Sequence, residues 1–381
     1  MGDLQAPRAR LCHPDARSDG ASRTAYLETR ATLFKSRKFW LGVVISAGFL
    51  ALFFYQVDLR QTADALKKAN YWWFIPAIAA YFVAVLFRSM RWHYLLQPIK
   101  SVPGTRLYPI VVIGYMANTL LPVRLGELVR AFFVGQKEGV SKSAALATII
   151  LERLFDGVFL LVMALVIWPF LPVANLLRDL SERSGIPQAG LVAIVSAPFI
   201  VILAVFFAVA FSPRLGRKLV RAILLLLPKR AKGPAEKLVS GFLDGLASLR
   251  SPKRVLAVVL FTVPVWMAEG FMYYLISLGF HIGQAFHGIL LSTSTSNLAT
   301  SLPSSAGGVG PFEYTTRVTL EQLGTSGELA AAYAIALHVA LLAPVTLLGL
   351  FFLWRENISL GEVTRRSGAG EGPATGPKAG A

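Results

Sequence analysis

Charged side chains recur inside the apolar stretches of this sequence, and they are the residues whose types could do chemistry. Arg88 and Arg91 lie three positions apart in LFRSMRWHYLL, so they share one helix face. The planar guanidinium donates two parallel hydrogen bonds, which suits the oxygens of a lipid phosphate. The alternative is that both side chains extend to a membrane interface without binding a ligand.

A second group lies in NTLLPVRLGELVR, where charges alternate with helix breakers. We assign Asn118, Arg124, Glu127 and Arg130 to a predicted substrate site. Pro122 and Gly126 belong to a predicted hairpin gate. The three charges recur at intervals of three, which predicts one ion-paired stripe. Non-helical backbone at membrane depth is tolerated only inside protein or around a cavity. This favours a site over a purely structural stripe.

Glu152, Arg153 and Asp156 form a third group, in LERLFDG. The two carboxylates lie four residues apart on one helix face, where like charges repel. They therefore need cationic partners, and we expect at least one of Arg88, Arg91, Arg124 and Arg130 within ion-pair reach. The group is either a structural network joining three helices or a proton or ion relay, and we include all three residues in the predicted site.

The fourth group is LPSSAGGVGPFE, with gate residues Pro303, Gly307, Gly308 and Gly310 and the site residue Glu313. Glycine permits unusual backbone angles, and successive amides can form an anion-binding nest. The alternative is a flexible external loop. No strand precedes the glycines and no Gly-Lys-Ser/Thr follows, so neither a dinucleotide fingerprint nor a P-loop is present. Glu269 is a further, isolated candidate.

The elements that must position these residues follow from composition. The chain has 381 residues, 55% of them hydrophobic and 15% charged, against about 25% charged in soluble domains. This predicts an all-α polytopic integral membrane protein. The net charge of +17 fits basic cytoplasmic loops better than nucleic acid. With Cys12 as the one cysteine and scattered histidines, we expect no metal site and no cofactor.

Eight apolar segments are evident, and they lie at 39–57, 71–95, 108–121, 143–170, 190–211, 255–279, 288–303 and 328–354. Six are long enough to span, and 108–121 and 288–303 are short. If the short segments are re-entrant hairpins, about 29 basic residues lie on the cytoplasmic side and about 6 on the outer side. If all eight segments span, about 16 basic residues lie on the cytoplasmic side and about 19 on the outer side. The positive-inside rule therefore favours six full spans plus two re-entrant hairpins.

Three spans in each half make the halves an inverted repeat, a recurring plan of secondary transporters. The predicted organisation is a cytoplasmic polar tail (1–38), a transmembrane domain (39–354) and a disordered C-terminal tail (355–381). The halves are 39–170 and 190–354, with a basic cytoplasmic segment at 212–254. Both termini are expected in the cytoplasm of a bacterial inner membrane.

These motifs, in this order, resemble the transmembrane region of the lysylphosphatidylglycerol synthases, a flippase-like integral membrane family. The resemblance covers about residues 38–355, through Arg88, Arg91 and Trp92, the run from Asn118 to Arg130, the Glu152 group and the run from Pro303 to Glu313. It implies a domain that moves an amphiphilic lipid between leaflets. Because residues 355–381 alone follow the last span, we expect a stand-alone member without the aminoacyl-transferase domain.

The leading functional hypothesis is therefore a lipid flippase for an anionic or phosphate-bearing, phospho- or isoprenoid-linked lipid. The arginines would bind the phosphate, and the carboxylates would balance charge or carry protons. Two alternatives stay open. The chain is a membrane-embedded transferase, or a non-catalytic partner of a separately encoded synthase or transferase, in lipid-linked sugar, hopanoid or aminoacyl-phospholipid synthesis. The absence of a metal or nucleophile motif favours transport over catalysis.

Overall fold

A computed structural model gives the fold, and it describes residues 37–55, 57–121, 125–167, 184–212, 250–301 and 306–356, with a few single residues between them. Several predictions fall outside this part of the chain. They concern Pro122, Arg124, Pro303, nearly all of the tails 1–38 and 355–381, and most of the basic segment 212–254. The described residues form helices and connecting turns without a β-strand, which confirms the all-α class.

The described residues form eleven α-helices, seven of them in the first half of the chain. These seven are α1 (Arg37–Tyr55), α2 (Leu59–Lys68), α3 (Phe74–Leu96), α4 (Gly104–Leu120), α5 (Gly126–Glu138), α6 (Lys142–Ile167) and α7 (Gln188–Phe211). Four more follow in the second half, namely α8 (Pro252–Gly279), α9 (Phe286–Ala299), α10 (Pro311–Gln322) and α11 (Gly327–Arg355). Short 3₁₀ turns occupy Tyr71–Trp73 and Ala306–Gly308.

Among the described residues, three helical stretches are long and apolar enough to cross a membrane, namely Tyr71–Leu96, Pro252–Gly279 and Gly327–Arg355. A fourth span results if Val43–Tyr55 and Leu59–Lys68, bent by 86° at their junction, act together. Helix α6 has the length of a span, but three charged residues lie near its middle. The chain therefore has helices able to span a membrane, and the count of six stays a prediction.

Two pairs of short helices correspond to the two short apolar segments. We call α4 with α5 the first hairpin and α9 with α10 the second hairpin. Their helices contain 17, 13, 14 and 12 residues, fewer than the ~20 that cross a bilayer. Gly126 allows α5 to pack closely on α4, because a Cβ there would overlap the carbonyl oxygen of Gly114.

The hairpins begin and end at opposite ends of the long helix α11. The ends of the first hairpin lie beside the end of α11, where Lys137 Nζ contacts Glu356 Oε1 at 2.7 Å. The ends of the second lie near the start of α11, where Gln284 donates to the carbonyl oxygen of Leu323 at 2.7 Å. The inner helix ends of the two hairpins therefore lie near each other, and Asn118 and Gly308 border the same cavity.

The longest helices pack antiparallel around these hairpins. Helix α8 lies along α3, and the amide of Asn70 donates to the carbonyl oxygen of Gly279 at 2.8 Å. Apolar side chains of α3, α4, α6, α8 and α11 form one continuous core. This core fixes the positions of the charged residues that α3, α6 and α8 carry inward.

Candidate functional site

A buried ion network lies between α3, α5 and α6, and we call Arg91, Arg130, Glu152 and Asp156 the inner network. Arg91 donates to both oxygens of Asp156, at 2.6 and 3.0 Å. Arg130 binds both oxygens of Glu152, at 3.3 and 2.8 Å. The guanidinium of Arg91 also lies 3.4 Å from Glu152. Two cations and two anions thus neutralise each other in the core.

Neighbouring side chains add hydrogen bonds to the inner network, in which Nε of Arg91 and Nε of Arg130 have no partner among the described residues. Thr262 accepts from Arg91 at 3.0 Å, and the indole of Trp266 donates to Asp156 at 2.9 Å. The guanidinium of Arg130 stacks 4.3 Å from the ring centre of Trp92. Buried charges are stable only with such pairing and hydrogen bonding. The predicted ion pairing of Glu152 and Asp156 is confirmed.

The prediction of an ion-paired stripe along α5 is wrong for Glu127 and Arg130, the two of its charges that the structure describes. Arg130 pairs with Glu152, and Glu127 lies 3.5 Å from Nε of Arg153. Both therefore bond to α6 rather than to each other, because α6 presents opposite charges at the facing positions. Arg88 and Arg91 do not extend to an interface either, since they are 4% and 0% exposed.

Arg88 has a partner that the sequence indicated only as an isolated candidate. Its Nη2 donates to Oε2 of Glu269 on α8 at 2.5 Å. The rings of Tyr115 and Trp266 lie 5.6 and 5.1 Å from the same guanidinium. One carboxylate occupies one edge of Arg88, whereas Arg91 is held by two carboxylates and a hydroxyl.

A cavity of about 170 Å³ lies where the two hairpin tips meet. The first hairpin and its neighbours contribute Tyr115, Asn118, Thr119, Glu127 and Arg153, and the second hairpin contributes Asn297, Thr300, Gly307, Gly308 and Phe312. Arg88, Glu269 and His338 complete its polar wall. Because this volume is below the 300 Å³ or more of a drug-sized pocket, it suits a headgroup rather than a whole lipid.

Several polar atoms of the cavity wall have no hydrogen-bond partner in the part of the chain that the structure describes. They are Nε of Arg88, the hydroxyl of Tyr115, Oε2 of Glu127 and Nε of Arg153. Buried polar groups are normally satisfied. The wall of this cavity therefore contains both unsatisfied donors and unsatisfied acceptors, and these atoms can bind a polar group.

The cavity separates the predicted site residues into two sets. Those that line it are Arg88, Asn118, Glu127, Arg153, Gly307 and Gly308. The inner network does not line it, and Glu313 reaches it through His338. Gly126 donates its amide to Asn118 at 2.8 Å, and Gly310 packs against the backbone of Ser46.

The second hairpin contains a contact that the sequence did not reveal. Nδ1 of His338 lies 2.6 Å from Oε1 of Glu313, and its Nε2 lies 3.0 Å from the carbonyl oxygen of Gly307. The amide of Gly310 donates to the other oxygen of Glu313 at 2.7 Å. The one sequence signal for this contact is a histidine inside an apolar helix. Nothing in the sequence relates that histidine to the glycines.

Within the described ranges, no group of three or more His, Cys, Asp or Glu side chains is arranged to hold a metal ion. The described polar groups of the cavity are instead arginine, carboxylate, amide, hydroxyl and imidazole groups. They are suited to hydrogen bonding and charge pairing.

Fold and site together define a helical integral membrane protein with an ionic cavity between two broken-helix hairpins. Comparison with known proteins agrees with this class. The family model for the lysylphosphatidylglycerol synthase transmembrane region matches residues 39–349. The chain belongs to this family, as the motif resemblance predicted.

Three relatives extend the comparison. A UPF0104 membrane protein of Methanothermobacter thermautotrophicus is 24% identical, over 77% of this chain and 88% of that protein. One of Methanocaldococcus jannaschii is 24% identical, over 63% and 95%. Glycosyltransferase AglD of Haloferax volcanii is 25% identical over 81% of this chain. The chain spans 52% of the length of AglD.

Proposed function

We propose that this protein moves a phosphate-bearing lipid between membrane leaflets, with the headgroup passing through the cavity between the hairpin tips. The observation that carries the proposal is the composition of that cavity. Both hairpins line it, and Arg88 and Arg153 contribute cationic groups with unsatisfied Nε atoms. Short helices that break at a shared site near mid-depth are typical of transporters.

Among the described arginines, we assign the headgroup role to Arg88 and Arg153, whereas Arg124 lies outside the described residues. Arg153 is 35% exposed at its side chain, and its nearest carboxylate oxygen, on Glu127, is 3.5 Å away. A phosphate offers stronger, bidentate hydrogen bonds than that contact. Arg91 and Arg130 are already held by two carboxylates, so we assign them to the framework. Asn118 and Glu127 add acceptors and donors for headgroup hydroxyls.

The proposed orientation places the ends of the first hairpin in the cytoplasm of a bacterial inner membrane, with both termini on that side. Lys100, Arg106, Lys137 and Arg355 lie at this end of the bundle, which fits the positive-inside rule. The two hairpins would then enter from opposite faces, as an inverted repeat does. In a Cys12→Ala background, Asp64→Cys should react with an impermeant thiol reagent in intact cells and Arg106→Cys should not.

Lipid co-purification tests the binding step. Wild type and an Arg106→Met control, whose arginine is 68% exposed at the bundle end, should retain a phosphate-bearing lipid that mass spectrometry identifies. Arg153→Met should retain about tenfold less, because a charge-assisted hydrogen bond contributes about 1.5–3 kcal/mol. Equal retention by Arg153→Met and Arg106→Met would contradict the assigned headgroup site.

A second candidate function rests on the similarity to AglD. That relative is named a glycosyltransferase, and this chain matches about half of it. This favours a role as a membrane module or partner of a transferase that acts on a lipid-linked substrate. If the purified protein transfers a sugar from a nucleotide sugar to a polyprenyl phosphate without a second protein, this candidate replaces the flippase proposal.

A further inference from the structure

The hydrogen bonds of His338 fix how many protons this residue and Glu313 share. The carbonyl oxygen of Gly307 can only accept, so Nε2 of His338 must carry a hydrogen. The 2.6 Å contact between Nδ1 and Oε1 of Glu313 requires a second hydrogen. This hydrogen belongs either to an imidazolium or to a protonated carboxyl. In both forms the pair holds one proton more than a neutral imidazole beside a carboxylate.

Loss of that proton leaves two acceptors for one donor. A neutral imidazole has a single N–H, and the carboxylate of Glu313 is a stronger acceptor than a peptide carbonyl. The N–H therefore moves to Nδ1 and stays with Glu313. The lone pair of Nε2 then faces the carbonyl oxygen of Gly307, and that contact becomes repulsive.

Gly307 lies in the described part of the turn between α9 and α10, which we call the tip of the second hairpin, and its contact with His338 is part of the cavity wall. Gly307, Gly308 and His338 all line the cavity. Gly307 and Gly308 have φ angles of 73° and 79°, and glycine adopts such angles without steric cost. The ring of Phe312 stacks on His338 at 4.2 Å between ring centres. Release of the carbonyl would free the tip to move away from α11.

The surroundings leave this pair as the proton-exchanging element of the wall. The charged and titratable groups that share the cavity with His338 are Tyr81, Arg88, Tyr115, Glu127, Arg153 and Glu269. Tyr273 contacts Phe312, and Tyr314 and Arg317 follow Glu313 on α10. Helix α9 adds the neutral Asn297. Arginine charges are fixed, and Glu127 and Glu269 each face an arginine. Histidine is the side chain that exchanges protons near neutral pH.

We propose that Glu313 and His338 form a one-proton coupling site. With the proton bound they hold the tip of the second hairpin against α11, and loss of the proton to water releases Gly307 and opens the cavity. This inference rests on the proposed lipid translocation, and it adds the proton as the coupling ion. Lipid entry and proton release would then alternate at the same hairpin.

A cysteine at position 300 reports on the tip independently of lipid movement. Thr300 lines the cavity, and its methyl group lies beside Gly308. In full-length Cys12→Ala protein in lipid nanodiscs, the alkylation rate of Thr300→Cys is measured from pH 5 to pH 8.5. Adding Glu313→Gln fixes the closed form, because its amide donates to Nδ1, accepts from Gly310 and has no proton to lose.

Dividing the rate of Thr300→Cys by that of Thr300→Cys/Glu313→Gln at each pH removes the intrinsic reactivity of the thiolate. We expect this ratio to rise at least about fivefold with pH, as a population shift of one titrating group gives. The Thr300→Cys/Glu321→Gln control removes a carboxylate from the same helix that binds Arg317 instead. It should titrate like Thr300→Cys alone. A ratio that stays flat would overturn the switch.

Transport of NBD-phosphatidylglycerol in proteoliposomes under an imposed pH gradient tests the coupling. Wild type and Glu321→Gln should respond to the gradient, and Glu313→Gln should not. If the labelling ratio titrates but transport ignores the gradient, proton coupling is wrong and lipid translocation stands. If the labelling ratio titrates and neither NBD-phosphatidylglycerol nor a polyprenyl phosphate moves, the proton switch stands and the proposed transport function is wrong.

Discussion

The inner network and the cavity wall contain the same residue types in opposite states. In the inner network, Arg91 and Arg130 bind two carboxylates that α6 carries, and all four side chains are buried. In the cavity wall, Arg88 forms its ion pair with Glu269, and Arg153 is 35% exposed at its side chain and lies 3.5 and 3.9 Å from Glu127 and Asp156. The difference separates arginines that hold helices together from arginines available to a ligand.

This contrast explains why charge at membrane depth does not by itself mark a binding site. A buried ion pair costs desolvation free energy, and it repays this only with complete hydrogen bonding. In the inner network, both oxygens of Asp156 and of Glu152 accept hydrogen bonds from an arginine, and Thr262 and Trp266 add further hydrogen bonds. In the proposed function, a bound phosphate would accept hydrogen bonds from Arg88 and Arg153 in the cavity wall.

The largest expected effect is on folding, in the inner network. Arg91→Met leaves Asp156 without its bidentate partner, and an uncompensated buried charge costs about 3–5 kcal/mol. We expect this variant to lose that much unfolding free energy, or to fail to insert, in denaturant titrations of detergent-solubilised protein. Arg106→Met, at an exposed pair, should stay within about 1 kcal/mol of wild type. An Arg91→Met protein as stable as Arg106→Met would remove the distinction between the two regions.

A carboxylate-to-amide substitution in each region should have opposite consequences. Glu269→Gln removes the anion that competes for Arg88, so binding of an anionic lipid should strengthen by about tenfold, or about 1.4 kcal/mol. Asp156→Asn should destabilise the protein and leave the affinity of the folded fraction unchanged. Equilibrium titration with a fluorescent anionic lipid measures both. Tighter binding by Asp156→Asn would show that the inner network also contacts the headgroup.

The smallest effect separates two glycines with similar backbone angles. Gly308 and Gly139 have φ angles of 79° and 66°, so alanine costs roughly 1–2 kcal/mol at either position. A Cβ at Gly308 would lie 3.1 Å from the methyl group of Thr300, whereas one at Gly139 meets nothing within 4 Å. Both variants should lose similar stability, and Gly308→Ala should also slow lipid translocation several-fold. Equal rates in the two variants would argue against movement of the second tip.

The sequence predicted the helices and much of the ion pairing, because both depend on local patterns. Apolar runs defined the long helices, and two carboxylates four residues apart on α6 demanded cations. Sequence could not choose among the cations, since the choice depends on which helix faces α6. It included Arg91 and Arg130 among four candidate arginines, and it left Glu269 without a partner.

His338 shows where sequence reasoning ends. Its two partners, Glu313 and Gly307, come together only after the second hairpin folds back onto α11. No spacing rule connects a histidine to a glycine carbonyl 31 residues earlier. The same limit applies to the cavity, which exists because two hairpins that are distant in the sequence meet at their tips.

Leaflet-resolved translocation in proteoliposomes tests the central claim most directly. NBD-phosphatidylglycerol and a short-chain polyprenyl phosphate are placed in one leaflet, and their appearance in the other is followed for wild type, Arg106→Met and Arg153→Met. The account predicts that wild type and Arg106→Met move at least one of these lipids well above the rate of protein-free vesicles, and that Arg153→Met moves it about tenfold more slowly. Wild-type rates equal to those of protein-free vesicles for both lipids, or an Arg153→Met rate equal to wild type, would contradict it.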